Sequence, residues 1–356
     1  MDNISNESNR YGSIDGLRAY SAIGIILMHM RSTSNNNYSI SGTVFNTIIP
    51  FLTNLVFLFM IISAFSMCCG YYEKYKDGTI SISSFYEKRI RKIWPFFAVL
   101  VLVDFIMGAS INTMLEAFAN LTLCFGLLPN NNFSVIGVGW FIGVIFVFYM
   151  LFPFFCCFIL KNKKRAWLAL VVTIILNISC SMYFFDRTHV VDGYSARTNI
   201  LFCSMFFVAG GLVYLYRIIL QSFVERFRRF FIAFIIFLTV TYFFQTEPLK
   251  YGTVQCVWML LIFSSWLIYS IGAKSVVLCN PVVKFVSDIS MEIYLSHMMI
   301  FRIIDRLHLN YLFGTCWLSY IVTVCVVIIG TIIFSMILKK MLAIIENNEI
   351  KNIIAK

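Results

Sequence analysis

Residues 14–31 read IDGLRAYSAIGIILMHMR, and this stretch decides the fold. Asp15 and Arg18 stand at one end, His29 and Arg31 at the other, and no side chain between Arg18 and His29 is charged. At about 100° per residue, eleven residues turn the chain about 1100°, within about 20° of three full turns. Arg18 and His29 therefore project from one face of a helix. The rise between them is about 16 Å, roughly half the hydrocarbon thickness of a bilayer. An apolar helix with ionisable groups on one face reads as a membrane helix with a functional side.

The rest of the chain agrees with that reading. Of its 356 residues, 60% are hydrophobic and 13% charged. A soluble domain carries about 25% charged residues, and one water-soluble core has no room for this much apolar surface. The mean hydropathy is +0.83. Ten apolar stretches are long enough to span, near 18–32, 45–69, 93–110, 136–160, 166–185, 198–219, 230–246, 253–271, 285–303 and 312–338. The expected fold is an all-α polytopic membrane protein with about ten transmembrane helices. An eleventh stretch, 115–128, carries Glu116, Asn120 and Thr122 and ends in Pro129 and three asparagines.

Charge chooses the topology. The net charge is +11. Ten spans with an inner N-terminus put 22 of the 28 Lys and Arg inside, leaving Arg31, Arg187, Arg197, Lys250, Arg302 and Arg306 outside. Counting 115–128 as a span changes the split to 13 inside and 15 outside and removes the positive-inside bias. Both termini are therefore expected to be cytoplasmic, with 111–135 an outer, re-entrant or interfacial excursion. Basic residues are not interleaved with aromatics on a polar surface, which sets nucleic acid aside. The eleven cysteines lie in apolar runs without CxxC spacing, and with four histidines in all no metal site is expected. The polar N-terminus lacks the pattern of a signal peptide.

Polar groups inside spans are expensive and mark function by default. His29, with a pKa near neutrality, reads as a general acid or base, or as an interfacial histidine beside Arg31. Lys88, Arg89, Arg91 and Lys92 either obey the positive-inside rule or hold a phosphorylated ligand, since Arg and Lys pair strongly with phosphate. Pro95 suits the first turn of the following helix. Ser63 reads as a helix-packing hydroxyl and Trp140 as part of an interfacial belt. Asp288, Glu292 and His297 share one expected span and need partners or water. His189 and His308 fall in expected outer loops.

Five segments in order resemble the acyltransferase-3 family of membrane acyltransferases, over nearly the whole chain. Ile14 to Ala19 through His29 is similar to the family's opening, including its Arg-x10-His spacing. Val56 to Phe65 resembles its "FF-x-x-SGF" pattern, and Phe85 to Pro95 its basic "RR-x-x-RI-x-P" segment. Trp140 to Tyr149 resembles its "WFL…FY" span, and Ile289 to His297 its "S-Y-x-I-YL-x-H" segment. Lys92 stands where the family usually has arginine, which keeps the charge and loses the bidentate fork. Ala64 replaces a usual glycine, Ile145 a frequent glutamate and Val147 a frequent glutamine.

The resemblance implies transfer of an acyl group, often acetyl, from acyl-coenzyme A to a hydroxyl of a carbohydrate acceptor. A surface polysaccharide or its lipid-linked precursor is the expected acceptor, with no tightly bound cofactor. It implies a catalytic His29 with Arg18, and donor binding by Arg89, Arg91 and Lys92. Asp15, Ser63, Trp140, Tyr149, Asp288, Glu292, Tyr294 and His297 are expected to line or support the path, and the partner of His29 is sought among Asp288, Glu292 and His297. Residues 1–338 are expected to form one transmembrane domain in the cytoplasmic membrane, and 339–356 a short cytoplasmic tail without a hydrolase-like domain. Two other classes fit a multi-spanning chain: a transporter or flippase of a lipid-linked sugar, and a polysaccharide polymerase, which would need a larger outer loop. Oligomeric state stays open.

Overall fold

The computed structural model describes residues 11–33, 38–128, 136–186, 188–190, 194–244, 252–273 and 275–354. Pro129 to Asn132 and the cations Arg10, Arg187, Lys250, Lys274 and Lys356 lie outside the described residues. The regular elements among the described residues are helices. They run α1 (Ser13–Thr33), α2 (Ile49–Phe51), α3 (Leu55–Lys76), α4 (Ile82–Met107), α5 (Ile111–Leu121) and α6 (Trp140–Phe154). Then come α7 (Lys163–Ser179), α8 (Ile200–Leu215), α9 (Arg217–Phe243), α10 (Gly252–Gly272), α11 (Pro281–Asp288), α12 (Ser290–Arg306) and α13 (Trp317–Ile354). Each of the ten expected stretches contains a helix.

Five helical stretches are long and apolar enough to cross a bilayer: Val44–Lys76, Trp140–Ile159, Lys163–Phe184, Val254–Gly272 and Trp317–Glu346. The pair α8 and α9, bent by 78° at Tyr216, makes a sixth. Their outward faces are greasy: Leu168 and Ile175 on α7, Phe230 and Phe237 on α9, and Ile329, Ile333 and Ile337 on α13 are exposed. Such a surface belongs in lipid. The chain is an all-helical, multi-pass membrane protein.

Three expectations change. Pro95 lies inside α4 rather than in its first turn, because Ser81 caps the helix far upstream by accepting from the Ser84 N–H at 3.1 Å. The Glu87–Arg91 pair at 2.8 Å, four residues apart, carries the winding through the basic run. The expected span 285–303 is two helices, broken at Ile289 (φ −119°, ψ 16°). There the Ser290 hydroxyl donates to the Ser287 carbonyl at 2.8 Å and the Ser287 hydroxyl to Asp15 at 2.9 Å, local bonds that compete with a continuous helix. The third concerns the expected tail, whose residues 339–354 continue α13 as helix.

The excursion after α4 is an amphipathic helix. Ser110 and Thr113 close a capping box at the start of α5. Ile111, Met114, Leu115 and Phe118 form one exposed apolar stripe, while Ala117 and Asn120 are buried. Eleven residues reach about 16 Å, too short to cross about 30 Å of hydrocarbon. The Trp94 indole pins the end of α5 by donating to the Leu121 carbonyl at 2.9 Å.

The core is built on α3, whose Phe57, Met60, Ile61, Ile62, Ala64 and Phe65 are buried against α8. A Cβ on Gly210 would lie 2.2 Å from the Ile61 carbonyl oxygen, so glycine is what lets the two backbones meet. The clash is with backbone, which cannot swing aside. Gly210→Val is therefore expected to cost at least the roughly 1–3 kcal/mol of core overpacking. Thermal unfolding of the solubilised protein checks this, and an unchanged midpoint would refute it.

Asp104 of α4 ion-pairs with Arg302 of α12, and its other oxygen accepts from the Ile136 N–H at 2.7 Å. Arg302, expected as an outer cation, is thus neutralised by a carboxylate that the apolar run 93–110 concealed. Opposite charges in two apolar stretches are a legible signal of such a pair. Asp104→Asn and Arg302→Met should each destabilise by about 1–3 kcal/mol, since each leaves a polar partner unsatisfied. The double variant should lose less than the sum; strict additivity would argue that the groups act independently.

Candidate active site

The helix that opened the sequence carries two separate pieces of a site. At its start, the Ser13 hydroxyl donates to the Ala273 carbonyl at 2.6 Å, and a Cβ on Gly16 would lie 2.7 Å from the Leu278 backbone. The Asp-Gly step is thus where the turn before α11 presses onto α1. Arg18 donates to the Ser66 hydroxyl at 2.6 Å and lies 3.6 Å from Asp15, which is buried and held by Ser287. Asp15 orients Arg18 and, unlike Arg18, is not in the lining of the cavity described below.

At the far end, the rings of His29 and His297 are 5.1 Å apart between centroids, tilted by 44°. His297 is fully buried on α12. Its Nδ1 lies 2.6 Å from the Tyr294 carbonyl, an acceptor only, so Nδ1 carries the proton. Its Nε2 then holds a lone pair, and it makes no hydrogen bond among the described residues. His29 is half-buried. Of the three candidate partners the structure brings His297 to His29. Asp288 and Glu292 are left at the opposite end of the cavity described next.

A cavity of about 1160 Å³ opens between α1, α3, α4, α6, α12 and α13. One end is basic, with Lys74, Arg89, Arg91 and Lys92 in its lining. The other end is walled by Phe59, Phe141 and Tyr294. The Phe141 and Tyr294 rings are 5.4 Å apart, edge to face, and the Tyr294 ring is 6.0 Å from that of His297. One aromatic layer therefore separates the cavity from the histidine pair, neither member of which lines it. The Tyr294 hydroxyl donates to the Val138 carbonyl at 2.7 Å, which fixes the ring as wall.

The basic end holds more positive than negative charge. Arg89 donates to the Tyr71 hydroxyl at 2.6 Å and lies over the Tyr71 ring at 5.0 Å. Lys92 makes no hydrogen bond or ion pair among the described residues; burial, then the Arg89 and Arg18 charges, pushes its pKa down. Arg91 is different. It is 61% exposed and bound to Glu87 at 2.8 Å and Glu346 at 3.7 Å. Glu292 pairs with Lys339 at 2.9 Å, and Lys339 also donates to the Asp288 carbonyl at 3.2 Å. Lys339, Leu342, Ala343, Ile345 and Glu346 of α13 close one wall, so part of the expected tail belongs to this site. Between the ends, Ser63 and Tyr149 share a 2.9 Å hydrogen bond in the lining, and Ile145 keeps the neighbouring wall apolar.

Over this geometry, residues 11–340 match the model of an acyltransferase domain, the acyltransferase-3 type. The chain belongs to the acyltransferase-3 family. No curated protein and no solved structure matches it. This membrane acyltransferase thus has a graded cavity, basic to apolar, ending beside two imidazoles.

Trp140, expected along the path, and the expected loop histidines His189 and His308 lie away from this cavity. Trp140 is outside the cavity, with Arg197 over its ring at 5.9 Å. His189 is on the surface, 2.7 Å from Asp186 and against the Tyr183 ring. His308 stands in the left-handed region at φ 55°, in the turn after α12. Two groups near the site escaped the sequence reading. Arg197 is a loop cation by sequence, yet it is half-buried, in keeping with its place three residues before an apolar run. Lys339 belongs to the tail by sequence, yet charge at the end of an apolar helix often reaches back along it.

Proposed function

We propose that this acyltransferase transfers an acyl group, acetyl being the expected one, from acyl-coenzyme A to a hydroxyl of a carbohydrate. A surface polysaccharide or its lipid-linked precursor is the acceptor. The observation that carries the reading is the cavity's gradient, from Arg89 and Lys92, which have no carboxylate partner among the described residues, to an apolar wall next to His297 and His29. A coenzyme A thioester has that polarity: several phosphates at one end, a thin amide chain, and a neutral acyl end. Arg89 and Lys92 bind the phosphates, with Arg91 at the mouth. The chain runs past Ser63, Tyr149 and Ile145, and the thioester meets Phe59, Phe141 and Tyr294. Arg18 is oriented along this route by Asp15 and Ser66.

With the Phe59 or Phe141 ring turned out of the layer between them, His29 takes the proton of the acceptor hydroxyl as that oxygen attacks the thioester carbon. Its surface is partly exposed but not to the donor cavity, which suits an acceptor arriving from another side. The ten-span topology, with both termini and the basic cavity mouth in the cytoplasm, supplies donor from within and acceptor from the outer leaflet of the cytoplasmic membrane. No metal or bound cofactor enters this mechanism. Glu292, a carboxylate that a transporter could use along its path, holds Lys339 instead.

The test uses membranes of the native host, which carry the acceptor, with radiolabelled acetyl-coenzyme A. Expected is label on a surface glycan together with one free coenzyme A thiol per group transferred. A protein that moves lipid-linked sugar and leaves acetyl-coenzyme A intact would sink the reading.

A further inference from the structure

The mechanism above uses one imidazole of a pair, and His297 is the other. It is fully buried on α12. Its ring is fixed from behind. Nδ1 donates to the Tyr294 carbonyl at 2.6 Å, and the Tyr294 hydroxyl is itself tied to the Val138 carbonyl at 2.7 Å. The lone pair left on Nε2 has no hydrogen-bond partner among the described residues. A buried polar atom without a partner costs about 1–3 kcal/mol, and such an atom in a folded protein calls for an explanation.

The neighbouring ring supplies one. The centres of His29 and His297 are 5.1 Å apart and the rings are tilted by 44°. One N–H···N hydrogen bond between the two ring edges spans such a separation. A turn of the His29 ring would close it, and catalytic hydrogen bonds commonly tighten only when substrate is bound. His29 is half-buried and His297 fully buried, so the pair runs from an accessible ring to an enclosed one. Asp288 and Glu292 lie at the basic end of the cavity, where Glu292 holds Lys339. The fold therefore brings to His29 not a carboxylate of its expected span but a neutral ring with a lone pair to offer.

We propose that His297 is a positioning residue, whose Nε2 accepts a hydrogen bond from the imidazolium that His29 becomes when it takes the acceptor's proton. The inference rests on the acyl-transfer reading above. As the acceptor oxygen bonds to the thioester carbon, its proton passes to His29, which then carries an N–H on each nitrogen. One of these donates to His297. Collapse of the intermediate breaks the C–S bond, and coenzyme A leaves as thiolate and takes the proton back from His29. His297 gains and loses no proton. A hydrogen bond from a cation is roughly twice as strong as one between neutral groups. His297 thus favours the charged ring, which exists only between the two proton transfers, over the resting one. An aspartate does this in a Ser-His-Asp triad; here an imidazole fixed by a backbone carbonyl takes its place.

The experiment compares His297→Leu, His297→Gln and His297→Ala with His29→Gln, all in membranes of the native host lacking its own copy. Rates with radiolabelled acetyl-coenzyme A are taken per folded molecule, counted by gel filtration after solubilisation. His297→Leu is expected to lower kcat about tenfold to a hundredfold, the usual contribution of a group that orients a functional imidazole. KM for acetyl-coenzyme A should stay nearly unchanged, because His297 does not line the donor cavity. His297→Gln, whose amide oxygen can accept, should lose less. Imidazole added to His297→Ala should restore measurable turnover, whereas pyrrole, a ring of the same size without an acceptor nitrogen, should not. In a His29→Gln background His297→Leu should cost nothing more, since His297 acts only through that ring. Wild-type kcat in His297→Leu overturns the proposal. So do equal rescue by imidazole and pyrrole, which marks a packing role, and a further loss in the double variant. If the unaltered protein transfers no acetyl group, the acyl-transfer reading has failed and this proposal with it; an inactive His29→Gln beside a fully active His297→Leu removes His297 alone.

Discussion

His29→Gln is expected to lower acyl transfer by about a hundredfold to ten-thousandfold, the usual contribution of a positioned general base. Glutamine keeps most of the size and some hydrogen bonding of imidazole, so the loss isolates proton transfer. His29 does not line the donor cavity, and binding of acetyl-coenzyme A should therefore survive. The measurement is thiol release and label transfer beside the KM for donor. Near-normal turnover in this variant would remove His29 from the chemistry. A tenfold rise in KM with kcat unchanged would make it a binding residue, contrary to its place behind the aromatic wall.

Arg89→Ala carries the second large effect. Arg89 is aimed by Tyr71 and held by ring contacts but has no carboxylate partner among the described residues. A hydrogen bond to a charged group contributes about 1.5–3 kcal/mol, and each 1.4 kcal/mol is about tenfold. The KM for acetyl-coenzyme A should thus rise roughly tenfold to a hundredfold, with kcat little changed. Added salt should raise the unaltered protein's KM more than the variant's, because screening removes an attraction the variant already lacks. Arg91→Ala is the control. Its guanidinium already serves Glu87 and Glu346 and is mostly exposed, so its KM should move by less than about threefold. Equal effects of the two substitutions would contradict the assignment of Arg89 as the phosphate ligand.

How much of this was legible varies residue by residue. The shared face of Arg18 and His29 is a matter of helical pitch, so spacing sufficed. The basic run before Pro95 was legible as a charge cluster, but which of its members faces the cavity depends on the rotation of α4 against α3 and α13. The sequence treats Arg89 and Arg91 alike; the fold puts one over Tyr71 and gives the other two glutamates. Glu292 looked like a candidate partner of His29, yet the break at Ile289 and the closing wall of α13 hand it to Lys339. The break itself is hidden in the sequence because apolar periodicity runs through residues 285–303 without interruption. Only the local serine hydrogen bonds reveal it.

By itself, then, the sequence determined the solvent, the helices and the family. Hydropathy, charge asymmetry and motif spacing are properties of the chain as a line, and lipid enforces them residue by residue. Tertiary structure alone decided the pairs: His29 with His297, Asp104 with Arg302, Glu292 with Lys339, and Arg197 with only rings and a carbonyl. Each joins residues from 47 to 268 positions apart along the chain. Which helix faces meet is set by close contacts such as Gly210 on Ile61 and Gly16 on Leu278. A one-dimensional pattern does not encode those contacts, because many packings bury the same apolar area.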